Sequence, residues 1–127
     1  MQGKHLYEYA VIRLVPRVER EEFFNVGIIL FSKRAKYIKA LYKVDEDKLN
    51  LFSSELDRES LFANLHVFDK ICSGTKEGGH IAALDIPERF RWLTAVRSAS
   101  IQTSRPHPGF SDDLDRTLEI LFRELVL

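Results

Sequence analysis

The first stretch with a readable pattern is Leu6 to Val15 (LYEYAVIRLV), rich in the β-branched and aromatic residues that fit a pleated surface. Alternate positions give Leu6, Glu8, Ala10, Ile12 and Leu14 on one side, and Tyr7, Tyr9, Val11, Arg13 and Val15 on the other. Both sets are mainly apolar, so the pattern predicts a strand covered on both faces and central in its sheet. Pro16 has no N–H to give to a ladder and is expected to end it. Asn25 to Ser32 (NVGIILFS) predicts a second strand, and Tyr37 to Tyr42 a third, after a basic turn at Lys33 to Lys36. The link from Arg17 to Phe24 is charged. Three strands with short links predict an antiparallel meander.

The period then changes. Asp45 to Phe52 predicts a short helix and Asp57 to Cys72 a longer one, with Leu61, Phe62, Leu65, Phe68 and Ile71 on one stripe. Asp57 suits its N-cap and Gly74 its C-terminal stop. Ser73 to His80 (SGTKEGGH) reads as a flexible loop. Pro87 to Thr94 predicts a short helix with proline in its first turn. Ala99 to Thr103 predicts a fourth strand, and Arg105 to Gly109, with Pro106 and Pro108 around His107, a loop. A last helix is expected from Asp113 to Val126, with Leu114, Leu118, Leu121, Phe122 and Leu125 facing inward and Asp112 and Asp113 at its positive end. The order β-β-β-α-α-α-β-α reads as an α+β fold, an antiparallel sheet of three to four strands with helices packed on it.

Composition narrows the function classes. The chain has 127 residues, 45% hydrophobic and 30% charged, which predicts one domain over residues 1–127 with a core of its own. The formal net charge is zero, so whole-molecule attraction to nucleic acid or anionic lipid has no support, although a local basic patch does not need it. Cys72 is the only cysteine and is read as a buried thiol in a reducing cytoplasm. No apolar run has the length of a membrane span, and Glu8 and Arg13 interrupt any signal-peptide core, so a cytoplasmic location is expected.

Arg97, Gln102, Arg105, His107, Asp112 and Asp113 lie within seventeen residues. Arginine offers a planar fork of donors to phosphate or carboxylate, and histidine moves protons near neutral pH. One reading is a binding site, in which Arg97 and Arg105 clamp a phosphate, His107 shuttles a proton and Gln102 orients the ligand. The other is structural, in which the aspartates cap the helix and the arginines pair with carboxylates. Asn25 and Gly27 both weaken a strand, which predicts a bulge or a close approach there, with Asn25 bonding backbone. Glu22 is a candidate partner for Arg97 or Arg105. His5, His66, His80 and His107 have no metal-site spacing, and no glycine-rich phosphate loop is present, so neither metal nor cofactor is expected. Tyr7, Tyr9, Phe31 and Tyr37 read as core before they read as base-stacking groups.

Two segments, "YEYAVIRLVPRVEREEFFNVGIILF" (Tyr7 to Phe31) and "RFRWLTAVRSASIQTSRPHPGFSDD" (Arg89 to Asp113), resemble the uncharacterised bacterial family named domain of unknown function 3037. The resemblance marks Arg13, Pro16, Glu22, Asn25, Gly27, Arg91, Trp92, Arg97, Gln102, His107 and Gly109 as signature positions. Val96 and Thr103 stand where it leads one to expect proline. It implies a small stand-alone protein without agreed catalytic residues. Its genes often lie beside those of a HipA-like kinase, which implies an accessory role in a toxin–antitoxin-like pair. The reading is therefore a protein-binding or accessory module, favoured over an enzyme, that docks a partner through Arg89 to Asp113, with Trp92 and the arginines as residue types common in hot spots. The alternatives are an enzyme or binder of a phosphate-bearing ligand at Arg97, Gln102 and His107, and a nucleic-acid contact at Lys33, Arg34 and Lys36.

Overall fold

Thirteen residues of extended chain, His5–Arg17 (β1), form the middle of a five-stranded sheet. The structure is a computed structural model; it describes residues 4–17, 22–50, 58–95 and 100–127, with the backbone alone at residues 16, 17 and 22. On one side β1 pairs antiparallel with Glu22–Ser32 (β2), which pairs with Tyr37–Tyr42 (β3). On the other side two short strands share its length, Ile101–Thr103 (β4) and His107–Ser111 (β5). Between β3 and β4 come the helices Glu46–Asn50 (α1), Arg58–Ser73 (α2), Gly79–Ala82 (α3) and Ile86–Leu93 (α4); Leu114–Leu125 (α5) follows β5. The fold is α+β, with an antiparallel meander at its start, as the periodicities predict.

Both faces of the sheet are covered, which is why β1 is apolar on both sides. Ala10, Ile12 and Leu14 join Ile29 and Phe31 of β2 under α2 and α4. Val11, Ile28 and Leu30 pack against Leu114 and Leu118 of α5, with Leu121, Phe122 and Leu125 behind them. Among the described residues no helix is long and apolar enough to cross a membrane.

The register explains the two odd residues of β2. Ile12 faces Gly27 but Arg13 faces Asn25, so Val26 is an extra residue and β2 bulges there. The bulge turns Val26 into the same core as Ile29. A Cβ on Gly27 would stand 2.5 Å from the Leu41 carbonyl, so the close approach of β3 requires glycine. The Asn25 amide donates to the Leu125 carbonyl at 2.8 Å and closes the end of α5.

Four expectations are corrected. β1 runs through Pro16 to Arg17, because the register slips between Leu14 and Arg17 and no regular ladder bond is asked of the proline. His107–Ser111 is a strand, since β5 lies at the sheet edge, where a proline costs no inner ladder bond. Its glycine has a reason: a Cβ at Gly109 would run into the Tyr7 ring opposite. The segment after α2 is not a plain loop but a 3-10 turn, Lys76–Gly78, running into α3. Phe62 is 41% exposed, on the outer side of a stripe whose buried members are Leu61, Phe68, Ile71 and Cys72. Gly74 does stop α2: at φ 73° it closes the helix through its N–H to Ile71 O and the Thr75 N–H to Lys70 O. The Asp57 N-cap and the first residue of the expected Ala99 to Thr103 strand lie outside the described residues, and Ser100 is a bend before β4.

Candidate functional site

α4 begins with Asp85, whose carboxylate accepts from the Glu88 N–H at 3.4 Å, and with Pro87 in its first turn. It ends at Thr94, whose hydroxyl donates to Phe90 O at 2.8 Å. Phe90 and Leu93 point into the core, and Phe90 stacks on Phe31 with ring centroids 4.7 Å apart. This pins the helix and turns Trp92 sideways, 38% exposed.

Beside Trp92 a groove of about 230 Å³ opens between α2, the end of α4 and β4. Val67, Phe68, Ile71, Trp92, Leu93 and Ile101 line it, together with Asn64, Ala95 and Gln102. Val67 is 46% exposed, so two large apolar side chains meet solvent here. Asn64 Nδ2 donates to Ser100 Oγ at 3.3 Å and ties α2 to the chain entering β4. Among the described residues no ionisable side chain lines the groove. Its described walls can hold an apolar group and hydrogen-bond its polar neighbours.

Gln102 lies opposite Arg13 on β1 and His107 opposite Tyr9, so both belong to the sheet face that α5 covers in part. Their partners are four positions apart on β1, about 13 Å along a strand. His107 is exposed and its ring sits 5.3 Å from that of Tyr9. Arg105 is exposed in the gap between β4 and β5. Ser104 fills that gap: its hydroxyl accepts from the Val11 N–H at 2.8 Å, and its own N–H donates to Val11 O at 2.9 Å. Asp113 is the N-cap of α5, its carboxylate accepting from the Arg116 N–H at 3.1 Å. Asn25 stands at the far end of α5, where it serves the helix terminus. Arg97 and the Glu22 side chain lie outside the described residues. The candidates thus divide: Trp92 and Gln102 share the groove, while Arg105, His107 and Asn25 have separate places.

Arg13, paired with Gln102 across the strands, has its guanidinium carbon 4.2 Å from the centre of the Phe23 ring, a cation–π contact. Sequence reading did not find Asn64 and Val67. Their signal is helical spacing of three and then four residues, Asn64, Val67 and Ile71 on α2, beside the stripe that carries the core. Cys72 is buried, and its thiol is pushed up to about 12 by burial first, then by the Asp69 carboxylate, against a smaller opposing pull from Arg89.

No curated protein and no solved structure matches this chain. A family model does, over residues 9–126, nearly the whole chain. The chain belongs to that family, described as a protein of unknown function, DUF3037.

Proposed function

We propose that this protein is a protein-binding accessory module and that the groove beside Trp92 receives an apolar anchor side chain of its partner. One observation carries the reading: Trp92 and Val67 are 38% and 46% exposed around a concave surface lined almost wholly by carbon. Tryptophan at the edge of such a concavity is the residue type that most often dominates binding energy, because it removes much apolar area from water at small entropic cost. The exposed amide of Asn64 beside the groove fits the polar rim of an interface. The partner proposed is a HipA-like kinase encoded beside the gene, in a toxin–antitoxin-like pair.

The alternative, an enzyme or binder of a phosphate-bearing ligand or nucleic acid at Arg97, Gln102 and His107, is less favoured because the β1 partners of Gln102 and His107 stand four positions apart, about 13 Å along the strand. A titration of the purified kinase by calorimetry tests the proposal. Expected is a complex that Val67→Asp abolishes and Trp92→Ala weakens by about 2 kcal/mol or more. No heat at micromolar concentrations, or a complex indifferent to both substitutions, overturns it.

A further inference from the structure

A second cavity, of about 440 Å³, lies at the other end of the sheet, between the start of β1, the β2–β3 turn and β5. Leu6, Tyr7, Phe31 and Pro108 give it apolar walls. Phe31 is fixed from below by its stack on Phe90. Leu6 is 53% exposed, and Phe110, its partner across the β1–β5 ladder, is 69% exposed. Two large apolar side chains thus stand together in solvent where the helices no longer roof the sheet.

The remaining lining is charged: Lys33, Arg34 and Glu8. The two cations sit on the turn Lys33–Lys36, held by the Lys36 N–H donating to Lys33 O at 3.2 Å. Both are exposed, and among the described residues neither pairs with a carboxylate. Glu8 lies further along the sheet, directly opposite Phe31 on β2 and Pro108 on β5. The cavity therefore has a positive end at the turn, an apolar body, and a half-buried carboxylate beyond.

From this arrangement we infer that the cavity is a site for an amphipathic organic anion, an apolar body carrying one anionic head. The head meets Lys33 and Arg34, where a guanidinium and an ammonium supply charge-assisted donors. The body covers Leu6, Phe31 and Pro108, taking from water the apolar surface the fold leaves exposed. Glu8 repels a second negative group. A polyanion such as a nucleic acid, which needs successive positive contacts, meets a carboxylate where its next phosphate would lie. The site is separate from the groove beside Trp92 and does not depend on it.

Anilinonaphthalene sulfonate, an aromatic body with one anionic head, is the probe. Titrated into the folded protein, it is expected to bind saturably, one molecule per chain. Lys33→Glu with Arg34→Glu should weaken it roughly tenfold or more, the loss of a charge-assisted contact. Leu6→Asp should do the same. Val67→Asp, in the other groove, should leave it unchanged. All these positions are exposed, and unchanged far-ultraviolet circular dichroism confirms that each variant is folded. Octanoate and octyl phosphate should displace the probe, distinguishing carboxylate from phosphate heads by their order, while octanol and a single-stranded oligonucleotide should not. Absence of saturable binding, loss only in Val67→Asp, or displacement by the oligonucleotide or by octanol as readily as by octanoate overturns the inference.

Discussion

At the scale of single residues, the sequence is most legible where it breaks its own pattern. Asn25 and Gly27 weaken a strand, and each has a specific contact that needs it: the amide bond to Leu125 O and the approach of Leu41 O. Gly27→Ala forces the β2–β3 pair apart, since the obstacle is backbone and cannot swing away. A cost of about 1–3 kcal/mol in urea unfolding is expected. Arg13 and Gln102 were not legible as a pair, because only cross-strand register brings them together. Cys72 gives a second residue-scale expectation. With its thiol pushed to about 12 and its side chain 3% exposed, it should stay unreactive toward a thiol-exchanging disulfide reagent at pH 8. In denaturant one equivalent should react at once.

At the scale of elements, long periodic segments announce themselves and short compensated ones do not. The α5 stripe of Leu114, Leu118, Leu121, Phe122 and Leu125 was readable because helical spacing alone sets which side faces the sheet. β5 was not, because His-Pro-Gly carries the composition of a turn, and only its edge position makes a proline there harmless. The docking of α5 also involves an ionisable group. The Tyr37 hydroxyl donates to Asp115 at 2.7 Å and Lys39 stands 3.5 Å away. The Tyr37 bond, and after it the Lys39 charge, hold the Asp115 carboxyl below its ordinary value of 3.8. A lowered folded value means that this stabilisation is complete above 3.8 and is lost as pH falls through the folded value. Solvent screens the pair, whose side chains are 54% and 66% exposed, so about 0.2–1 kcal/mol is at stake. Asp115→Asn should therefore lower the urea midpoint slightly at pH 6 and flatten its decline below pH 4.

At the scale of the molecule, one sheet serves two cores, one under α2 and α4 and one under α5. Ile12 and Val11 are neighbours on β1 yet belong to different cores, so neither layer can detach without stripping the strand they share. Unfolding followed by Trp92 fluorescence, which watches the α2–α4 side, should coincide with unfolding followed by far-ultraviolet circular dichroism. Separate midpoints would show that one layer leaves first. The groove was not legible at this scale because its walls come from α2, α4 and β4, brought together by packing alone. Among its residues Trp92 and Gln102 had drawn notice as candidates, and Phe68 and Ile71 only as core.

The split between β4 and β5 has a consequence for how the protein behaves in a crowded solution. A continuous outer strand would offer a run of unmet amides and carbonyls on which any passing extended chain could zip. Here the border changes hands halfway, at a serine hydroxyl that has already taken the Val11 amide, and Pro108 has no amide to lend. This border is broken into pieces too brief for fibril-like growth, which leaves the six residues of β3 on the opposite side as the longer seam open to an extended chain.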